Sequence, residues 1–241
     1  MPAIPVREQR ASVLLRAKIE LFGGRVNQAA GRFWMHPNFP LAYREYLFQS
    51  HSIIRATVPL MQAGEQACRL PPHASDPALQ TFGDYLRRHI PEETGHHEWI
   101  LDDGEAMGIK RVAILDRLPR HTVTHLVGAQ YYWLHHYSPI ALAGYIAVME
   151  GIPSTTEFYE DVARRNQLPP TAFTNFLYHA RIDPRHRQEF DDMLDGLPLS
   201  KDQLGLIGLS AIRTMDYIAG ILEDIVLEAE PSGGFSNGAS P

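Results

Sequence analysis

Cysteine is nearly missing from this chain. Cys68 is the only one among 241 residues, so no internal disulfide can form, and a reducing compartment fits. No block of Lys or Arg is present and the net charge is −6. That argues against a nucleic-acid surface or an anionic membrane as partner. Long apolar runs are absent too. The longest, Ile140 to Met149, is too short to span a bilayer, and the N-terminus lacks the apolar segment of a signal peptide. The expectation is a cytoplasmic protein that meets a small-molecule substrate, neither nucleic acid nor membrane, with a homodimer as its candidate assembly.

Alternating period-2 runs are also scarce, which leaves little room for a sheet. What is there instead is helical periodicity. In "LAYREYLFQSHSIIRATVPLMQAGEQACRL" the apolar residues Leu47, Ile53, Ile54, Val58 and Leu60 read as a long amphipathic helix. "DQLGLIGLSAIRTMDYIAGILEDIVLEAE" reads as a second one near the C-terminus. Between them, helical stretches are expected over 76–90, 91–107, 121–150, 155–166 and 170–194, punctuated by Pro91, Gly108, Pro119, Pro139, Pro153, Pro169, Pro184 and Pro198. With 44% hydrophobic and 21% charged residues, this is an ordinary globular composition. The fold class expected is all-α: one bundle of about seven helices over residues 1–230. The tail 231–241, "PSGGFSNGASP", has almost nothing to bury and is expected to be disordered.

Histidine is unevenly placed: nine of the twelve lie between residues 89 and 186. In "HIPEETGHHEWILDD", His89, Glu93 and His96 fall at positions 0, 4 and 7. On one helix these lie within about 60° of each other and form a single stripe. His97 is also four after Glu93, so either His could complete it. "YHARIDPRHRQEF" repeats the spacing with His179, Asp183 and His186. A third carboxylate, Glu150, ends the apolar run "PIALAGYIAVMEG", and a buried carboxylate needs a partner or a metal. Each group alone also has a bland reading, as solvated pairs or a hydrogen-bonded buried Glu. Together, imidazoles and carboxylates from three segments, with no thiolate, suit iron or manganese. His121 and His125 read as a surface pair. His135 and His136 are adjacent, so at most one can face the core, behind the ligands. Arg55, in "QSHSIIRATVPL", is a candidate bidentate clamp for a substrate carboxylate, or simply a surface charge.

"EETGHHEWILDD", "YYWLHHYSPIALAGYIAVMEG" and "HARIDPRH" resemble the haem-oxygenase-like diiron oxidases and oxygenases, the iron-containing redox enzymes, over roughly residues 30 to 228. The resemblance implies a seven-helix haem-oxygenase-like bundle with a non-haem diiron centre and O2 as co-substrate. It implies that Glu93, His96 and His179 hold one iron and that Glu150, Asp183 and His186 serve the other, with His89 as an alternate or additional ligand. Two ferrous ions can each give an electron to O2. The reactions implied are N-oxygenation, or oxidative C–C cleavage or desaturation, of a small amine, amino acid or fatty-acid-like substrate. One departure from the pattern is Pro184, inside the second stripe, where it removes a helix hydrogen bond ahead of His186. The same fold hosts cofactor-free enzymes resembling thiaminase II and the quinone-cofactor synthase. A haem protein using His36 or His51 would also suit a helical bundle, as would an iron store.

Overall fold

The computed structural model describes residues 9–151 and 154–230; the tail expected to be disordered lies outside them. Among the described residues the chain is all-α and contains eleven α-helices rather than about seven. These are α1 (Ala11–Phe22), α2 (Gly24–Trp34), α3 (Phe39–Arg69), α4 (Pro77–Glu93), α5 (His96–Ala106), α6 (Arg111–Leu115), α7 (His121–His136), α8 (Leu142–Met149), α9 (Thr156–Arg165), α10 (Thr174–Gly196) and α11 (Lys201–Ala229). Short 3-10 turns at Pro139–Ala141 and Pro170–Phe173 introduce α8 and α10.

The higher count has local causes. The stretch expected as one helix over 121–150 breaks at Tyr137. Ser138 then accepts the Ile140 amide and Pro139 starts the 3-10 turn. The 91–107 helix does not begin at Pro91. Instead α4 runs through that proline, and the chain turns at Thr94–Gly95, where Gly95 takes φ +94°. A left-handed position after a helix end is what glycine allows at low cost. Pro184 likewise sits inside α10 without ending it. Elsewhere the ends follow capping chemistry: Asp76 accepts the Ala78 and Leu79 amides, and Ser200 forms a capping box with Gln203.

Two long helices organise the bundle. α3 packs chiefly on α4, α5 and α7, whereas α11 packs on α8, α2, α1 and α7. α11 is long and apolar enough to cross a membrane by length and composition alone, yet Ile207, Ala211, Met215, Ala219 and Ile225 are buried in the protein core. α8 packs chiefly on α11 and is buried over Leu142–Val148, so the apolar run of the sequence is core. Its close approach to α11 depends on Gly144. A Cβ there would run into the Ile207 carbonyl oxygen and come within 2.7 Å of the Ala211 amide nitrogen.

α10 is a weak helix by composition and is held by neighbours. Asp103, fully buried on α5, accepts the Thr174 and Asn175 amides at 2.7 and 3.2 Å, the open first turn of α10. Its carboxyl is pushed up to about 6, first by burial and against those hydrogen bonds. Arg16 on α1 grips Asp191 at 2.8 Å and the Ala147 carbonyl at 2.7 Å, tying α1, α8 and α10 together. The helix that carries His179, Asp183 and His186 is thereby fixed at both ends.

Candidate metal centre

The turn at Gly95 separates two residues that the sequence suggests on one helix. Glu93 is the last residue of α4 and His96 the first of α5. They still meet: His96 Nδ1 lies 3.1 Å from Glu93 Oε2. The chain reversal brings them together, not helical periodicity. His89 and Glu93 do share a face of α4, with His89 Nε2 at 3.7 Å from Glu93 Oε1. From the end of α8, Glu150 places Oε1 at 2.8 Å from the same His89 nitrogen. α10 contributes His179, whose ring is 5.0 Å from that of His96, and His186, whose ring is 4.8 Å from that of His89.

Two groups of metal-ligand type result. Glu93, His96 and His179 form one; His89, Glu93, Glu150 and His186 form the other. In each, one donor atom per residue lies within 4.8 Å of the rest. Glu93 belongs to both. This differs in one place from the set implied by the resemblance: His89 joins Glu150 and His186, and Asp183 stands in neither group. Asp183 Oδ1 instead bonds His179 Nδ1 at 3.0 Å, because the i,i+4 spacing puts them side by side on α10. An Asp in that place orients the imidazole and leaves its Nε2 free.

The donor set fits a metal. Glu93 Oε1, His96 Nδ1, Glu150 Oε2 and His186 Nδ1 are all buried with no aligned hydrogen-bond partner. Orphaned buried polar atoms are costly, and here they converge from α4, α5, α8 and α10. Carboxylate oxygens with imidazole nitrogens and no thiolate match the preference of iron or manganese.

The charges are coupled. Burial alone would lower the His89 pKa, but the hydrogen bond and charge of Glu150, with Glu93 and Glu92, raise it overall. His179 is likewise raised, with Asp183 outweighing burial. Burial acts to raise Glu93, yet His96, His179 and His89 bring it net below the usual range. In the metal-free protein the two histidines therefore contribute stability that is present below their unfolded pKa and lost as pH rises through the folded value. Metal binding needs them neutral. Zn(II) or Fe(II) affinity is expected to fall as pH drops, starting above the ordinary histidine pKa of about 6.5 and approaching tenfold per unit per ligand. Titration at pH 8, 7 and 6 checks this, and a pH-independent affinity would contradict it.

Beside the donors lies a cavity of about 200 Å³. α3 lines it with Tyr46, Ser50, Ile53, Ile54, Thr57 and Met61; Tyr145, Ile146, Met149, Tyr159, Asn175 and Phe176 add to the lining, together with Glu93, Glu150, His179 and Asp183. Among the described residues, no Lys or Arg lines it. Arg55 follows Ile54 by one residue, about 100° round the helix, and is exposed, so it does not reach the cavity. His97 sits half-exposed beside Glu98, outside both groups. His121, His125, His135 and His136 are all exposed, which removes the last two from any supporting place behind the ligands. His36 accepts the Asn38 amide; His51 is buried on α3 with neither ring nitrogen bonded, and its pKa is lowered to about 4, mainly by burial. Among the supporting residues, several carried no metal signal in the sequence. Trp99 stacks on His96 at 4.2 Å, Tyr85 stacks on His89 at 5.4 Å, and Glu92 bonds His186 at 2.7 Å.

Residues 69–216, which include every member of both groups, match the family described as iron-containing redox enzymes. The chain belongs to that family. No curated protein matches it in sequence. Among solved structures, a domain of unknown function with a heme oxygenase-like fold from Shewanella denitrificans superposes with TM-score 0.69 at 17% identity, over 90% of this chain and 89% of that one. A TenA homolog from Pseudomonas syringae pv. tomato gives 0.68 at 15% identity, over 89% and 91%. A CADD-like protein of unknown function from Nostoc punctiforme gives 0.58 at 11%, over 90% and 96%. These likenesses establish the heme oxygenase-like fold of this iron-containing redox enzyme family member.

Proposed function

We propose that the protein is a non-haem diiron oxidase or oxygenase that uses O2 to oxidise a small amine, amino acid or fatty-acid-like molecule by N-oxygenation, C–C cleavage or desaturation. The observation that carries this reading is the pair of donor groups sharing Glu93, three of whose members, Glu93, Glu150 and His179, line a cavity of mixed apolar and polar side chains. When bound, ferrous iron supplies the electrons for O2 chemistry. Glu93, His96 and His179 would hold one ion, and His89, Glu150 and His186, with Glu93 in common, the other. Asp183 holds the His179 ring through Nδ1 and leaves Nε2 as the nitrogen that would face an ion. The side chains of Ile53, Ile54, Met61 and Phe176 exclude water, while Ser50, Thr57, Tyr145 and Asn175 offer polar contacts to a small substrate. With no Lys or Arg in the described wall, a substrate carboxylate would depend on the metals for its counter-charge.

The TenA-like fold also supports a cofactor-free reading, in which a side chain acts as nucleophile. The one thiol does not serve it: Cys68 is buried, outside the cavity lining, and its pKa is pushed up to about 12, chiefly by burial. Anaerobic Fe(II) titration separates the two readings. About two equivalents per chain are expected, with O2 uptake on exposure to air. Saturation below one equivalent would sink the diiron reading.

A further inference from the structure

His186, like His179, is a donor whose ring is already claimed by a carboxylate from outside the two groups, and in its case that carboxylate comes from another helix. Its side chain is 0% exposed, yet its Nε2 lies 2.7 Å from Oε2 of Glu92, a side chain that is 38% exposed. Glu92 directly precedes Glu93, but on a helix the two point about 100° apart, so Glu93 faces the donors and Glu92 faces the outer side. There an open pocket is lined by Tyr85, Arg88, His89, Glu92, Arg185 and Glu189. Arg185 holds the Glu92 carboxylate in place: its Nη2 is 3.1 Å from the same Oε2, and its Nη1 is 2.9 Å from Glu189.

This geometry decides the tautomer. Arg185 Nη2 also lies 3.1 Å from His186 Nε2, and a guanidinium only donates. A carboxylate only accepts, and at 2.7 Å it is the closer partner, so Nε2 carries the proton and donates it to Glu92. Arg185 and His186 then both donate to one oxygen. The remaining His186 nitrogen, Nδ1, is buried with no partner, and its lone pair is left for a metal.

We infer that Glu92 is a positioning residue for the metal centre: it binds His186 Nε2–H and thereby presents Nδ1 as the ligand atom of the group formed with His89, Glu93 and Glu150. The inference rests on the metal-centre reading. Carboxylate–histidine–metal arrangements of this kind set ring orientation and ligand basicity, and their loss weakens metal affinity about tenfold to a hundredfold. Asp183 treats His179 in the opposite sense, taking Nδ1 and freeing Nε2, so each α10 histidine has its own carboxylate.

Zn(II), diamagnetic and redox-inactive, serves as probe, with calorimetric titration and 15N-histidine NMR of the loaded protein. In the wild type, His186 should show a protonated Nε2 and a metal-shifted Nδ1. Glu92→Ala should weaken one of two Zn(II) sites about tenfold to a hundredfold, lose the protected Nε2–H signal, and leave the melting temperature of the metal-free protein unchanged. Glu92→Gln, whose carboxamide oxygen still accepts, should keep the tautomer and most of the affinity. Arg185→Ala should keep the tautomer. A metal-shifted Nε2 in the wild type, or unaltered affinity and proton position in Glu92→Ala, would overturn the inference. Failure of the wild type to bind Zn(II) at all would instead overturn the metal-centre reading on which it rests.

Discussion

Glu93→Ala is expected to empty both halves of the centre, lowering bound metal from about two ions per chain to less than one and abolishing O2 uptake. The reason is that Glu93 alone belongs to both donor groups. Its Oε2 faces His96 at 3.1 Å and its Oε1 faces His89 at 3.7 Å, so in the proposed diiron centre this one carboxylate would be common to both ions, a role that no other residue on α4 or α10 duplicates. Its pKa lies below the usual range despite burial, since His96, His179 and His89 surround it, and it remains a carboxylate through the neutral range. By contrast, His179→Ala removes a donor from one group only and should leave about one ion, while Glu150→Ala should do the same for the other. Activity falls in all three, so metal content is the discriminating measurement. Glu93→Gln controls for volume: it keeps the side chain's shape and should lose metal nearly as fully. Retention of both ions in Glu93→Ala would show that the centre does not share this carboxylate.

Gly144→Ala is expected to lower stability by about 1–3 kcal/mol or more, a large share of the total for a domain of this size. The substitution adds one methyl group, and on an exposed helix it would be stabilising. Here the added Cβ meets backbone on α11, the Ile207 carbonyl oxygen and the Ala211 amide nitrogen, with the Ser210 Cβ at 2.9 Å. Backbone atoms in a packed helix cannot swing aside as a long side chain could, so α8 must shift as a body. Glu150 follows directly on α8, so its Oε1 should move from the 2.8 Å contact with His89. Chemical denaturation and metal titration measure the two effects together. Gly205, also on α11, has open space around it, and Gly205→Ala should be neutral or stabilising. Equal stability of the wild type and Gly144→Ala would show that α8 and α11 can separate at little cost.

Much of the centre is legible in the sequence. His179, Asp183 and His186 keep the spacing of one helix face, and α10 does carry all three. His89 and Glu93 are an i,i+4 pair on α4, and Glu150 ends the apolar run that becomes α8. Continuity is what misleads. The stripe from His89 to His96 reads as one helix because its spacing is helical, but Gly95 turns the chain, and His96 reaches Glu93 across the turn. Pro91 reads as a break, yet α4 runs through it, and Pro184, expected to remove a hydrogen bond within the second stripe, does not end α10 either.

The sequence by itself therefore determined the helical class, the apolar core segments and the kinds of donor available, because these depend on periodicity and residue chemistry within a few turns. Only the tertiary structure decided which donors meet. Glu93 is shared between two groups, His89 lies with Glu150 and His186 while Asp183 bonds His179, and Glu92 reaches His186 from the outer side, through contacts between residues up to ninety-seven positions apart. Such contacts depend on how α4, α5, α8 and α10 are angled against one another by Gly144, Asp103 and Arg16. That angle is a property of packed surfaces, and no local pattern in the chain encodes it.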